Sequence, residues 1–325
     1  HVAEPEKLAQ RVAERQARLD RVCSPLPGSI AQENRRPVHV RQQHDRMRLL
    51  DVLVDVFPQI PAAEWERRCD EGRFTSYAGV VRGKDHIVRA GERVLQLFDA
   101  EAEPAVATDI RILHEDDAIV VLHKPAPLPM HPSGRYHRNT LQHLLTLAYD
   151  APRIPRLVHR LDANTSGLVV LGRTRHFARL LQRQFIEGQV EKTYLARVQG
   201  WPEEDSFRCE LPISTEPGPA GSREIDEEEG QSALTLFRVL ERCADGTALL
   251  EASLRTGRTH QIRIHLWQLG YPVVGDPMYL PGGLMGDRQT IDVEEVPMML
   301  HAWKLGFKHP IQSERMSFEA EAEWK

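Results

Sequence analysis

Asp162 lies in VHRLDANTSG, residues 158–167, with His159 and Arg160 before it and Thr165, Ser166 and Gly167 after it. The apolar run LVVL follows at once. A carboxylate at the mouth of a buried strand is partly shielded from water and needs a compensating partner. The stretch is either an ordinary surface turn, its polar side chains returned to the backbone, or a site holding one carboxylate among cations. Arg160, two residues away, would share a face with Asp162 on extended backbone, a relation that a turn removes.

A partner for that carboxylate can be sought in LRTGRTHQIRIHLWQLGYPVVGD, residues 254–276. TGRT reads as a turn, and Thr259 as the cap of a helix bearing Ile262, Leu266 and Leu269 that Gly270 closes. Arg263 falls one turn into that helix, where a guanidinium opposes the helix dipole. It therefore asks for a carboxylate, and Asp162 is the candidate. In VEKTYLARV, residues 190–198, Lys192, Tyr194, Ala196 and Val198 share one strand face. A tyrosine facing a pocket can stack on a planar ring and use its hydroxyl as donor or base. Each element also has a plain structural reading: a salt-bridged Asp, a capped helix, a core Tyr.

These groups must be carried by strands and helices that the pattern predicts. AIVVLHKP reads as a strand stopped by Pro125, and NTLQHLLTLAYD as a helix with Asn139 at its cap. LVVLGR is a buried strand. RHFARLLQRQFIEG is a helix with Phe177, Leu180, Leu181 and Phe185 inward. Residues 212–230 are polar, acidic and rich in Gly and Pro, as a surface loop would be. Upstream, residues 46–74 read as a helical pair: Leu49, Leu50, Leu53, Val56 and Phe57 form one stripe, and a second helix opens at Pro61 and ends at Gly72. Short strands are expected around YAGVV, HIV and RVLQLF. The surface arginines Arg46, Arg48, Arg67 and Arg68 could meet phosphate or simply solvate a helix face. Residues 4–20 carry a loose stripe of Leu8, Val12 and Leu19, which SPLPGSIAQENRRP interrupts, so the N-terminal arm is expected to pack late or stay mobile.

Composition sets wider bounds. The 325 residues allow one large domain of roughly 200–230 residues and a smaller one. A net charge of -5 argues weakly against nucleic acid, but the distribution is uneven. Residues 151–200 hold nine Lys or Arg against three Asp or Glu, which permits one positive face. Four scattered cysteines without CxxC suggest reduced thiols and a cytoplasmic setting. No apolar run approaches a membrane span, and HVAEPEKLAQ lacks a signal-peptide core. The motifs of zincins, P-loops, nucleophile elbows and dinucleotide folds are absent. His131, His137 and His143 lack ligand-like company, and His260/His265 are badly spaced for one helix face, so no metal is expected.

Taken together, these motifs resemble the large family of RNA pseudouridine synthases typified by the bacterial ribosomal and dual-specificity enzymes. HRLDANTSGLVVL matches the central motif, with the catalytic Asp at Asp162. EKTYLARVQG matches the second motif, and TGRTHQIRIHLWQLGYPVVGD and LHAWKLGFKHP match the third motif and the C-terminal segment. HEDDAIVVLHKPAPLPMHP matches the opening of the catalytic domain, and its KPAPLP turn is similar to a branch that includes tRNA-modifying members. The resemblance implies an α+β fold, a mixed and largely antiparallel sheet in two subdomains around a basic cleft, with neither metal nor cofactor. It implies a catalytic domain over 101–325 and a small RNA-binding module over 44–100, similar to one named for a ribosomal small-subunit protein, after an arm at 1–43.

The resemblance further implies site-specific isomerisation of uridine to pseudouridine in structured ribosomal or transfer RNA, by a protein expected to act as a monomer. Asp162, Tyr194 and Arg263 are the implied catalytic residues: nucleophile, stacking partner with a late proton-removing role, and salt-bridge partner. Arg160, His159, Lys192, Arg258, Arg156 and Arg173 are the implied RNA-binding and base-flipping residues. The alternatives are a non-catalytic RNA-binding or RNA-folding protein that keeps the domain, and a hydrolase with paired carboxylates, for which the matched motifs offer no second acid.

Overall fold

A computed structural model of the chain describes residues 5–58 and 60–324. It divides into two compact units, Ile30–Glu103 and a larger one formed by the residues up to Ser29 with those from Pro104 onward.

Helix α1, Pro5–Cys23, belongs to the larger unit, in contrast to the expected free arm. Leu19 is fully buried and Val12 and Val22 pack beside it. Much of the docking is polar, which is why the apolar stripe reads as loose. Arg15 donates to Ala148 O at 2.7 Å, and Gln16 both donates to Ile110 O at 2.7 Å and accepts from Ile112 N at 2.8 Å. Gln16 thereby satisfies the backbone at an edge strand of the main sheet, a place that proteins generally cover.

In the smaller unit, β1 (Gln32–His39), β2 (Phe74–Ser76) and β3 (Arg93–Glu101) form an antiparallel sheet in the order β1-β3-β2. β1 occupies the stretch that reads as a break. It is polar with one fully buried residue, Val38, and as an edge strand it tolerates Pro37. Helices α2 (Leu49–Val56) and α3 (Ala62–Asp70) bury Leu49, Val52, Leu53 and Trp65 with Phe74. Gly72, at φ +71, ends the pair. YAGVV and HIV contribute only the isolated bridges Thr75↔Val81 and Arg48↔Ile87 in place of the expected strands. All four arginines singled out have carboxylate partners: Arg46 has Asp45 at 3.9 Å, Arg48 has Asp51, Arg67 has Glu64 and Glu71, and Arg68 has Glu64.

The larger unit continues with β4 (Arg111–Glu115), β5 (Ile119–Lys124), α4 (Leu141–Ala148), β6 (Arg156–Leu157), β7 (Ser166–Gly172), α5 (Arg175–Ile186), β8 (Glu191–Gln199), β9 (Ser206–Cys209), β10 (Thr235–Arg242) and β11 (Thr247–Leu254). Helix α6 (Gln261–Gln268), β12 (Tyr279–Leu280), β13 (Leu284–Met285), β14 (Leu300–Lys308) and β15 (Arg315–Glu319) complete it. One ten-stranded sheet runs β4-β5-β7-β14-β8-β11-β10-β9, with β6 on β7 and β15 on β14. Among the described residues only β7 and β14 pair in parallel, at His301↔Ser166 and Ala302↔Gly167. The fold is α+β with a mixed, largely antiparallel sheet.

β5 and β7 are apolar on both faces because both are covered. Val120, Leu122, Val169 and Leu171 meet α1 and α4, while Ile119, Val121, Leu168 and Val170 meet Ala178 and Leu181 of α5. Fully burying one such side chain is worth about 1.5–3 kcal/mol, so these strands form a stiff base for the loop that precedes β7. Two predicted caps differ. Thr140, not Asn139, caps α4 by accepting from His143 N; Asn139 is buried, accepting from Gly28 N at 2.8 Å and donating to Pro104 O at 2.9 Å.

Candidate active site

The loop before β7 is held from three sides. Asp162 O accepts from Thr165 N at 3.1 Å, closing a turn. Ala163 O accepts from Leu128 N at 2.8 Å and from the buried Lys124 Nζ at 3.2 Å. That ammonium also reaches Pro125 O at 3.0 Å and Leu128 O at 2.9 Å, so it ties the KPAPLP turn to the Asp162 loop. Asn164, buried, donates to Gln289 O at 2.8 Å and accepts from Ile291 N at 3.1 Å. Asp162 is thus presented by backbone with little freedom to move.

Arg263 arrives from α6, a helix buried on nearly every side. The N-cap position is His260, at φ +57, and its side chain caps nothing. Thr259 does not act as the cap. Gln261 organises the turn instead, its carbonyl oxygen accepting from Arg258 N at 3.0 Å and Thr256 Oγ1 at 2.8 Å. Arg263 Nη1 donates to Asp162 Oδ2 at 3.0 Å, as its position against the helix dipole suggested. A second carboxylate, Asp276, takes Nε at 2.7 Å and Nη2 at 2.8 Å. The Tyr279 ring lies 5.1 Å from the guanidinium carbon.

Burial alone would raise the pKa of Asp162, but opposing charge and the Arg263 hydrogen bond hold it below the usual carboxylate range. His260 Nε2 is 3.9 Å from Asp162 Oδ2. Burial keeps that imidazole down at about 4, so at neutral pH it is uncharged and the standing positive charge on Asp162 comes from Arg263 and Arg160. Burial also lowers Arg263, yet its two carboxylates outweigh this and keep it cationic. For Tyr194, burial and the Asp162 charge both push the phenol pKa upward, so it keeps its proton.

These groups line a cavity of about 580 Å³. Asp162, Tyr194, Arg263, Arg160, His159, Lys192 and Arg258 all border it. Arg160 is exposed at the border, and Lys192 lies deeper, its pKa lowered by burial and by Arg258. His159 is not a cation: burial holds it down to about 3, its Nε2 accepts from Val170 N at 3.1 Å, and its ring stacks on Phe185 at 4.5 Å. It locks β7 to α5.

Arg156 and Arg173 are not brought to the cavity. Arg156 is exposed on β6, opposite Gly172. Arg173 follows the far end of β7, about 20 Å of strand from the Asp162 loop at ~3.3 Å per residue, and pairs with the buried Glu115 at 3.1 Å. The Tyr149 hydroxyl donates to the same carboxylate at 2.7 Å. That arginine is sequestered in a core network, a correction to its reading as an RNA contact. Asp276, His260, Tyr279 and Lys124 are site-building residues that the sequence pattern does not single out. Asp276 and His260 fall inside the third motif, but no spacing rule marks them.

Among the described residues no group of three or more His, Cys, Asp or Glu is placed to hold a metal. No described helix is long and apolar enough to cross a membrane. The fold and cavity define a protein with an anion-attracting pocket and a single ionised, clamped carboxylate at its border. Comparison with known proteins is specific. The family model for RNA pseudouridylate synthase matches residues 118–268. The ribosomal large subunit pseudouridine synthase D of Nitrosomonas europaea is 36% identical over 91% of this chain and 87% of its own length. An uncharacterized RNA pseudouridine synthase of Aquifex aeolicus is 35% identical over 84% of this chain and 90% of its own. Among solved structures, human RNA pseudouridylate synthase domain containing 1 matches with a TM-score of 0.54 and 28% identity, covering 68% of this chain and 86% of that one. The chain belongs to the RNA pseudouridine synthase family. It is an isomerase that acts on RNA and converts uridine to pseudouridine at specific sites.

Proposed function

We propose that this chain isomerises a uridine of large-subunit ribosomal RNA, with Asp162 as the nucleophile at the sugar. The reaction breaks the bond from N1 to C1′, turns the uracil and joins C5 to C1′. A stacked base cannot be reached, so the nucleotide is swung out into the cavity. Asp162 addresses C1′, and Arg263 keeps it ionised and aimed. Tyr194, holding its proton, offers the uracil an aromatic face and a donor. Arg160, exposed at the rim, enters the space that the base leaves. Lys192 and Arg258 meet the phosphates on either side. His159 supports the wall from behind, and the smaller unit is an RNA-binding module. The protein acts in the cytoplasm as a monomer.

The observation that carries this reading is the Arg263–Asp162 bond at 3.0 Å at the border of a cavity lined by residues of all three motifs. The ribosomal assignment is supported by the name and near full-length match of the Nitrosomonas europaea relative. Site-resolved pseudouridine mapping tests it, using unmodified ribosomal and transfer RNA incubated with the protein. A new site in large-subunit RNA is expected. A new site confined to transfer RNA would move the substrate to that class, and none in either would contradict the reading.

A further inference from the structure

Helix α5 has two unlike faces. Phe177, Ala178, Leu181 and Phe185 turn inward against the sheet. Arg175, Arg179, Gln182 and Ile186, spaced four, three and four residues apart, share the opposite face, and all are exposed. The helix RHFARLLQRQFI holds three arginines and no acid. A solvated helix face elsewhere in this chain is balanced: on α3, Glu64 meets both Arg67 and Arg68. On α5 only Arg183 is met in this way among the described residues, by Glu187 at 2.6 Å. Arg175 and Arg179 form no ion pair among the described residues.

Arg175 opens the helix, where a cation opposes the dipole, and no neighbouring carboxylate offsets it. Arg156 comes to the same side. Leu157 packs into the core beneath α1 and α4 and Val158 into the one beneath α5, so alternation puts Arg156 beside α5. Its strand partner Gly172 lies so close to Ala178 that an added Cβ would be 2.4 Å from Ala178 N. Arg156 is likewise without an ion pair among the described residues. At its other end the face reaches the active-site cavity. Ile186 borders that cavity and is 84% exposed, and the ring of Phe185 before it is fixed by stacking on His159. From Arg175 to Ile186 the helix runs about 16 Å at 1.5 Å per residue. A row of unpaired guanidinium groups that ends at the cavity for the target nucleotide suits a sugar–phosphate backbone.

We propose that the outer face of α5, together with Arg156, holds phosphates of the RNA strand flanking the target uridine. This rests on the reading of the cavity as the place that receives that uridine. Arg156, Arg175 and Arg179 fix the register of the RNA from outside the cavity and read no base. The contact surface thereby extends beyond Arg160, Lys192 and Arg258, and Arg156 acts on the RNA without entering the cavity.

The test measures affinity for unmodified large-subunit ribosomal RNA between about 50 and 200 mM salt. R156Q, R175Q and R179Q are each expected to flatten the slope of log affinity against log salt by about 0.7–0.9, and the triple variant by roughly two to three. KM should rise while kcat holds, as when binding is lost equally from ground and transition states. R208Q makes the same change in net charge on β9, five strands from β7 in the sheet order, and should keep the wild-type slope. Unchanged slopes in the three α5-side variants, or an equal flattening by R208Q, would overturn the assignment. Wild type that forms no pseudouridine in this RNA would remove the reading of the cavity, a result taken from product and independent of the slopes.

Discussion

Arg263 gives Nε and Nη2 to Asp276, at 2.7 and 2.8 Å, and turns Nη1 to Asp162 at 3.0 Å. The order matters. Asp276 is itself fixed, its Oδ1 accepting from Met278 N at 2.9 Å and Tyr279 N at 3.1 Å. The guanidinium plane is therefore set from beneath, and one N–H is aimed at the carboxylate bordering the cavity. Lysine cannot reproduce three directed donors. R263K should lower isomerisation by on the order of 10²-fold or more. D276N should cost about 3 kcal/mol of stability, by leaving Arg263 half-paired in the interior. It should lower kcat with little change in KM. Thermal unfolding and single-turnover kinetics read both; R263K with full activity would rule out the clamp.

Arg160 and Arg173 should separate cleanly. R160A removes an exposed side chain and should change stability by no more than about 0.5 kcal/mol, while weakening turnover on folded RNA. R173A leaves Glu115 buried beside Arg15, at 3.7 Å, as its remaining charge partner. It should cost about 3 kcal/mol and leave RNA affinity of the folded protein unchanged. Chemical denaturation and RNA binding measured side by side decide this. A stable R173A with impaired RNA binding would restore the surface role that the structure denies it.

Gly167 stands where β7 and β14 run parallel, at φ +115. A Cβ added there would lie 2.3 Å from Ala302 O and 2.6 Å from Ala302 N. Both neighbours are backbone and cannot swing aside. G167A should destabilise by more than about 4 kcal/mol or fail to accumulate as folded protein. A normal melting temperature would show that the two strands can part without loss.

Acid should act on the histidines before it acts on Asp162. Burial holds His123, His260 and His301 at about 4 and His159 at about 3. Unfolded histidines take up protons below about 6.5, so between there and about 4 the unfolded state binds more protons and stability falls as pH falls. Each unit of depression is worth ~1.4 kcal/mol, so four such groups together make a large part of the loss. Asp162 has the same sign in a lower pH window. Its pKa is depressed, so its contribution is present above the ordinary carboxylate range and is lost only as pH drops through the lower, folded value. Urea titrations at pH 7.5, 6 and 5 should show a steady decline in unfolding free energy. A flat profile would contradict the neutral assignment of these imidazoles.

The ladder of apolar strands and the placement of Asp162, Tyr194 and Arg263 were legible because period and motif agree. LVVL can only be a buried strand, and an arginine against a helix dipole does ask for a carboxylate. Residues whose partners come from far along the chain were less so. Arg173 has the look of a surface cation until Glu115, from β4, is placed beside it. Asn139 looks like a cap until Gly28 and Pro104 take its amide. α1 reads as a free arm because Arg15 and Gln16 dock it through backbone carbonyls and amides, which leave no trace in hydrophobic spacing. β1 carries one fully buried residue, too few for an alternation to show. His260 hides for a different reason: a left-handed histidine has no sequence signature.

The central claim is that a single clamped carboxylate performs the chemistry. It is tested most directly by mapping pseudouridine in unmodified large-subunit ribosomal RNA after incubation with wild type or D162N, with RNA affinity measured on the same samples. A new site is predicted with wild type and none with D162N, at affinities within a few-fold of each other. A D162N protein that forms pseudouridine at close to the wild-type rate would contradict it.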